Sequence, residues 1–291
     1  LGLKPDESLQ LCKTFLSHYG ESMSKGSPHP VDQDSAKGMV RDLLRNVRKR
    51  DGTEYLDART QVVNGRRALQ LDGKKALPIS EADRTRVERL IAQHAEAQAN
   101  PGYFQLLDVA RRIAGTGSLG IERFVVLVRG DGKQGNPSLL DLRLEPGSAL
   151  TPYVRLKQPS WRNEAARVVT VQRRMQVDTP AFLAVLSLDQ KSYVLRELLP
   201  SQDRLSLKNW DGKLGRLDRV MQTMGTILAS AQLRSCAWKG AAEIAELVDF
   251  SSKLQTYRCA LLGHARFYAE QVFHDWRQFA AAYPDAPLQQ H

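Results

Sequence analysis

The spacing of apolar residues changes along this chain, and each change marks a different kind of predicted structure. Apolar residues recur at helical spacing over 5–23 and 35–49, which predicts a helix in each segment. The same spacing returns in the last third of the chain, where it predicts a long helix over 214–234 and one or two more over 241–283. We therefore expect helical structure at both ends of the chain.

Between the helical ends, short runs of β-branched and aromatic residues alternate with turn residues. The segment 60–80 carries Asn64-Gly65 and Asp72-Gly73 between its apolar runs, and it predicts a small β-meander. Ser80 begins an approximate capping box, so a helix is expected to start there. The remaining patterns predict an amphipathic helix over 161–176 and strands over 121–130, 138–145 and 191–198.

This order of elements predicts an α+β fold with a small antiparallel sheet lobe and a mainly helical lobe. We expect three parts in the chain. They are a helical segment with the β-meander over 1–100, a β-rich glycine-loop lobe over 101–200 and a helical C-terminal part over 201–291. The sequence contains no internal repeat and no low-complexity tract.

The composition is typical of a globular protein without a membrane span. Hydrophobic residues make up 42% of the 291 residues and charged residues 25%, and no apolar run reaches the roughly 18 residues that cross a bilayer. Cys12, Cys236 and Cys259 form no C-x-x-C pair, and the six histidines show no ligand spacing. We therefore expect a cytoplasmic protein with no metal site and no membrane contact.

The net charge of +10 favours an anionic partner, such as a nucleotide, a nucleic acid or an acidic protein. The densest basic run extends from Arg45 to Arg50 and has no aromatic residues interleaved with it. Surfaces that bind single-stranded nucleic acid use such aromatic residues to stack the bases. We interpret the run as a solvated helix end, which argues against nucleic acid as the partner.

The most informative motif lies in residues 113–124, IAGTGSLGIERF, where three glycines follow the pattern G-x-G-x-x-G. A dinucleotide-binding fold places a helix directly after this pattern. Here the β-branched stretch IERFVVLVRG follows and predicts a strand, so we reject that fold, although Asp141 lies at about the distance of the ribose-binding acid. A kinase-type phosphate loop and an ordinary hairpin turn remain as alternatives.

The protein-kinase arrangement is strand, glycine loop and strand, followed by a basic residue and then a glutamate that positions it. Its parts occur here in that order. Arg143 lies on the third strand, Glu164 lies on the next helix, and the segment 197–199 would link the two lobes. A surface charge is the alternative for Arg143 and for Glu164. The predicted nucleotide-binding residues are Gly115, Thr116, Gly117, Ser118, Gly120, Arg143 and Glu164, and the expected ligand is ATP with Mg²⁺.

The catalytic residues of such an enzyme are not found in this chain. Phosphoryl transfer needs an aspartate at the acceptor hydroxyl and ligands for magnesium. After residue 199 there is no H-x-D-x-x-x-x-N run and no D-F-G. Asp249-Phe250 is followed by serine and lies in helical sequence, where a structural role is the better interpretation. The catalytic residues therefore stay unknown.

Several stretches together resemble the bacterial family called domain of unknown function 2252. They are GTGSLGIERFVVLVRG, LLDLRLEPGSAL, ARVVTVQRRMQ, YVLRELLPSQDRL and HARFYAEQVFHDWRQF, and the resemblance covers most of residues 1–285. The family is distantly similar to protein kinases and aminoglycoside phosphotransferases. The resemblance implies a kinase-like fold in which the order of elements is permuted.

The resemblance also implies that catalytic and metal-binding stretches, G-D-x-H-x-x-N and N-D-F-D, lie upstream of the glycine loop. This sequence does not contain them, so we expect it to be a C-terminal portion that is inactive or nearly so by itself. The family usually has lysine in the stretch that contains Arg143 here. Arginine does not reproduce a lysine point-charge contact without loss, which also argues against ATP turnover.

Two functions follow as hypotheses. The first is an ATP-binding, kinase-like phosphotransferase with an acceptor that the sequence does not identify. The second is a non-catalytic binding or scaffold protein, in which the glycine loop is a turn and the positive charge attracts an anionic partner. The sequence does not predict the oligomeric state.

Overall fold

The structure is a computed structural model that describes residues 1–49, 52–115, 120–131, 137–200 and 203–284. Contacts divide the chain into two compact units, one formed by Leu1–Leu44 with Leu205–His291 and the other by Arg45–Arg204. The helices in the described ranges are α1 (Pro5–Ser24), α2 (Gly38–Lys49), α3 (Gly52–Asp57), α4 (Glu81–Glu96), α5 (Glu164–Met175), α6 (Leu214–Ser235) and α7 (Ile244–Ala282).

The strands lie in the Arg45–Arg204 unit and are all paired antiparallel. They are β1 (Thr60–Val63), β2 (Arg66–Leu69), β3 (Ala76–Leu77), β4 (Leu106–Arg112), β5 (Arg123–Val128), β6 (Ser138–Leu144), β7 (Ala184–Leu188) and β8 (Lys191–Glu197). Strands β1 and β2 form a separate hairpin, and the other six form one sheet in the order β3-β4-β5-β6-β8-β7. The predicted mixture of helices with an antiparallel sheet is confirmed.

The two faces of the six-stranded sheet have opposite character, because neighbouring side chains on a strand point to opposite faces. One face, called here the apolar face, carries a cluster of buried residues that packs against the buried side of α4. The cluster includes Val87, Leu90, Ile91, Phe124, Val126, Leu140, Leu142, Tyr193 and Leu195. Burial of this apolar surface is the main favourable term that holds the unit together.

The other face, called here the charged face, has two smaller apolar clusters with polar residues between them. One cluster joins Leu56 of α3 and Leu69 of β2 to Val125, Leu127 and Leu139. The second joins Ala165 and Val169 of α5 to Leu183 and Val194. The side chains between these clusters are arginines and a carboxylate, and they form the candidate site described below.

The unit formed by the chain ends is helical, and α1 packs along α6. A Cβ atom at Gly225 of α6 would lie 2.5 Å from the backbone oxygen of Phe15, so the close approach of the two helices requires glycine there. Several apolar side chains farther along α7 are exposed, including Phe267, Tyr268, Phe273, Trp276 and Phe279. Among the described residues, no helix has both the length and the apolar content that crossing a bilayer needs.

Most predicted elements are confirmed, and the differences concern the β-meander and two short elements. The strand β3 pairs with β4 and not with β2, so a single β-meander over 60–80 is wrong. Asp72 Oδ1 accepts backbone N–H groups of the three residues after Gly73, which closes a turn and directs the chain to the larger sheet. The strand β7 and the short helix α3 were not predicted, whereas the single helix α7 agrees with the one or two helices expected over 241–283.

The chain passes between the two units twice, after Leu44 and after Arg204, and the predicted link over 197–199 coincides with neither boundary. The backbone N–H of Leu198 donates to the oxygen of Leu139 at 2.9 Å, and the Leu198 side chain is buried against the sheet. Residues 197–199 therefore still belong to the sheet-containing unit, which ends at Arg204.

Candidate anion-binding site

The glycine loop connects β4 and β5, which are adjacent antiparallel strands. Gly115 and Gly120, at its two ends, have φ angles of +72° and +80°, a region that favours glycine. No atom of the described residues lies within 4 Å of a Cβ built at either position. Glycine is therefore favoured at both positions by the backbone conformation and not by a lack of space for a side chain. Thr116, Gly117 and Ser118 lie outside the described residues.

Hydrogen bonds hold both ends of the loop to the sheet. On the charged face, Arg123 Nη1 donates to the backbone oxygen of Ala114 at 3.3 Å. On the apolar face, Glu122 accepts from Tyr193 Oη at 2.6 Å and from Arg86 Nη1 at 3.4 Å, and it also pairs with Lys191. Burial and the contact with Glu122 both raise the pKa of Tyr193, so it remains a neutral donor.

Three arginines contact one carboxylate beside this loop, and a fourth, Arg143, lies two residues from it on the same strand. Asp141 on β6 accepts a two-point hydrogen bond from Arg123, whose Nε and Nη2 lie 2.8 and 2.7 Å from its two oxygens. Arg112 Nη1 lies 2.6 Å from Oδ1, and Arg196 Nη2 lies 3.4 Å from Oδ2. Asp141 is only 2% exposed. Burial alone would raise its pKa, but the hydrogen bonds and charges of Arg123 and Arg112 outweigh burial and lower it.

The strand register brings these charges together. Arg143 on β6 lies directly opposite Arg123 on β5, and Arg196 on β8 lies directly opposite Asp141. Like charges at directly opposed positions destabilise a sheet. The arrangement therefore concentrates positive charge next to the glycine loop at a cost in stability.

The four arginines differ in the exposure of their side chains and in how closely they contact partners within the protein. The side chains of Arg123 and Arg112 are 10% and 18% exposed, and both make short contacts with Asp141. The side chains of Arg143 and Arg196 are 32% and 34% exposed. Arg196 comes no closer than 3.4 Å to Asp141, and the Nε of Arg143 is buried and makes no hydrogen bond within the described residues. Arg143 and Arg196 are thus the more exposed and less tightly paired of the four arginines.

A second carboxyl group, that of Glu145, lies two residues after Arg143. Its oxygen Oε1 is 3.7 Å from Arg143 Nε, an ion-pair distance that is too long for a hydrogen bond. Its side chain is 9% exposed. Burial raises the pKa of Glu145, although Arg143, Arg196 and Arg167 act in the opposite direction.

The predicted partnership of Arg143 with Glu164 is wrong. Glu164 begins α5, and its carboxylate pairs with Arg167 Nε at 2.6 Å, three residues along the same helix. Arg143 has Glu145 as its carboxylate neighbour instead. Residues at i and i+3 on one helix are always neighbours, whereas a helix residue and a strand residue meet only where tertiary packing brings them together.

Residue-by-residue interpretation of the sequence missed most of this cluster, namely Arg112, Arg123, Glu145 and Arg196. The signal that could have found them is an interrupted alternation. The stretches DVARRIA, ERFVVLV, LLDLRLE and YVLREL each place a charged residue in an otherwise apolar strand pattern. All four interruptions fall near the glycine loop once the strands are paired.

The chemistry of these donors suits phosphate better than a metal ion. Guanidinium groups give planar N–H pairs that match phosphate oxygens. Asp141 and Glu145 both face arginines, and no group of three His, Cys, Asp or Glu side chains with metal-binding geometry occurs in the described ranges. The site therefore fits phosphate groups, and its residues do not provide a ligand set for resident Mg²⁺.

Comparison with known proteins agrees with the resemblance seen in the sequence. No curated protein and no solved structure matches the chain. One family model, described as an uncharacterized protein conserved in bacteria, DUF2252, matches residues 1–282, which is nearly the whole chain. The chain therefore belongs to the bacterial family DUF2252.

Proposed function

We propose that the charged face and the glycine loop bind the phosphate groups of ATP, as the nucleotide-binding part of a kinase-like phosphotransferase. The observation that carries the proposal is the pair Arg143 and Arg196. Both are a third exposed, both are weakly paired, and both lie on the charged face at the glycine-loop end of the sheet. The kinase-like, permuted arrangement of the fold is part of this proposal.

The charge balance supports an anionic ligand. The candidate site contains two carboxyl groups and four guanidinium groups, which belong to Asp141, Glu145, Arg112, Arg123, Arg143 and Arg196. Of the carboxyl groups, Asp141 is fully engaged by Arg123 and Arg112. A phosphate group at Arg143 and Arg196 would neutralise the remaining positive charge through charge-assisted hydrogen bonds.

The anchoring of the loop supports a nucleotide as the source of that phosphate. Arg123 links Asp141 to the backbone of Ala114, so one guanidinium connects the arginine cluster with the start of the loop. Gly115 and Gly120 carry no side chain that would keep a phosphate from the backbone. Transfer of the phosphoryl group also requires an oriented acceptor and magnesium. For those steps we assign no residue of this chain.

Calorimetric titration with ATP tests the proposal on the double variant R143Q/R196Q. Each charge-assisted hydrogen bond contributes about 1.5–3 kcal/mol, so we expect the variant to bind ATP at least about 100-fold more weakly than wild type. The matched control is R89Q/R129Q, which removes the same charge from exposed positions. The control should bind ATP within about twofold of wild type at the same salt concentration.

The scaffold hypothesis predicts a different result in the same experiment. A protein that only attracts anions by its overall charge would lose similar affinity in both double variants, and the loss would disappear at high salt. Absence of ATP binding to the wild-type protein, with no rise in melting temperature at millimolar ATP, would overturn the nucleotide proposal.

A further inference from the structure

Glu145 differs from Asp141 because its side chain is buried but makes no close ion pair within the described part of the chain. Its backbone N–H donates to the oxygen of Ser192 at 3.0 Å, which fixes the residue against β8. Its side chain is 9% exposed, and its ion-pair contact with Arg143 is 3.7 Å long. By contrast, Asp141 on the same strand makes several contacts shorter than 3 Å with arginines.

Charged groups from four elements face Glu145. They are Arg143 on β6, Arg196 on β8, Arg167 on α5 and Arg123 on β5. Despite these four cations, burial raises the pKa of the Glu145 carboxyl group. The Glu145 carboxyl group therefore holds a proton more readily than an exposed glutamate does, although four arginines face it.

A phosphate at the proposed site would increase this tendency. The same guanidinium of Arg143 would have to serve both the phosphate and Glu145. A phosphate and a carboxylate that both lie beside Arg143 in a partly buried site repel each other, and this repulsion raises the pKa of the carboxyl group further. The Glu145 side chain is only 9% exposed, so little water is available to screen this repulsion.

We propose that Glu145 takes up a proton from solvent when phosphate binds, while Arg143 exchanges the Glu145 carboxylate for a phosphate oxygen. This inference rests on the proposed function, and it adds that ATP binding is coupled to protonation of one protein group. The balance is simple, since one proton moves from water to a carboxylate oxygen and no other covalent bond changes. The neutral carboxyl group then supplies an O–H donor beside the ligand.

The test is calorimetry of ATP binding in buffers of different ionisation enthalpy, at mildly alkaline pH where ATP itself is fully ionised. We expect wild type to take up about one more proton for each ATP bound than E145Q does. The E145Q variant should also bind ATP more tightly, by about tenfold for each pH unit above the pKa of Glu145. The matched control, E88Q, removes an exposed carboxylate on α4 and should keep the proton uptake of wild type.

The outcomes separate this inference from the proposed function. If wild type binds ATP and takes up no more protons than E145Q, the proton coupling is wrong and the nucleotide site stands. If neither protein binds ATP, the nucleotide site itself is wrong. Sulfate serves as a second probe in case E145Q does not fold, because its charge is constant at these pH values. Binding of sulfate to wild type without proton uptake would overturn the coupling.

Discussion

Asp141 and Leu142 are neighbours on β6 and equally buried, yet they point to opposite faces of the sheet and are buried for different reasons. Leu142 is surrounded by apolar side chains beneath α4. Asp141 is surrounded by guanidinium groups beside the glycine loop. The apolar face needs only shape and volume to be stable. On the charged face, Asp141 needs its arginine partners. Arg143 and Arg196, called here the outer arginines, are less tightly paired and are the proposed ligand-binding residues.

The largest expected effect is the loss of the central carboxylate. The substitution Asp141→Asn leaves Arg123 and Arg112 partly buried without their counter-charge, and removal of one partner of a buried ion pair costs about 3–5 kcal/mol. Urea unfolding measures this cost. The control is Asp57→Asn, whose exposed pair with Arg67 should be worth no more than about 1 kcal/mol. Equal costs for the two variants would contradict the role of Asp141.

The apolar face should respond to truncation and not to charge. We expect Leu142→Ala to lower the free energy of unfolding by about 2–5 kcal/mol, because the fully buried side chain leaves a cavity. Exposed Leu156 is the matched control and should tolerate the same substitution within about 0.5 kcal/mol. Where the Leu142 variant stays folded, it should retain ATP affinity. Loss of affinity in a folded variant would show that the two faces are not separable.

The two carboxyl groups of the charged face should give opposite dependences of stability on pH. The pKa of Asp141 is lowered in the folded protein, so its contribution is present above the ordinary aspartate pKa and is lost as pH falls. The pKa of Glu145 is raised, so stability falls as pH rises from the ordinary glutamate pKa through the raised value. Urea unfolding at a series of pH values measures both trends.

The variant E145Q isolates the second trend. It should remove the decline in stability that sets in above the ordinary glutamate pKa and leave the acid side of the profile unchanged. A pH profile of E145Q that runs parallel to that of wild type over this range would show that Glu145 does not titrate there.

The smallest effect on stability is expected for the outer arginines. Their side chains are a third exposed and weakly paired, so Arg143→Gln and Arg196→Gln should each change the free energy of unfolding by no more than about 0.5 kcal/mol. Thermal unfolding of the ligand-free variants measures this. A large loss of stability would mean that these arginines are structural, like Arg123.

The sequence was sufficient to predict the strands of the charged face but not what they bring together. The β-branched run after Gly120 and the alternation around Leu142 predict β5 and β6 directly. Which arginine faces which carboxylate depends on strand register, and a local pattern does not contain it. The predicted pairing of Glu164 with Arg143 failed for this reason. Glu164 pairs instead with Arg167 on the same helix, α5.

Other misses have similar physical causes. The strand β7 has only five residues and one of them, Ser187, is polar, so its apolar pattern is a weak signal. The packing of α1 on α6 joins residues about 200 positions apart, such as Thr14 and Asp218, whose side chains hydrogen bond at 2.6 Å. The glycine hairpin was predictable because its signal is local, with left-handed backbone at Gly115 and Gly120.

The most direct test of the account follows the arginine Nε–Hε groups by NMR during titration with ATP. The account predicts that the signals of Arg143 and Arg196 shift strongly, that Arg123 shifts little because Asp141 already holds it, and that exposed Arg129 stays unchanged. Shifts confined to arginines outside the charged face, or equal small shifts at all exposed arginines, would contradict a phosphate site beside the glycine loop.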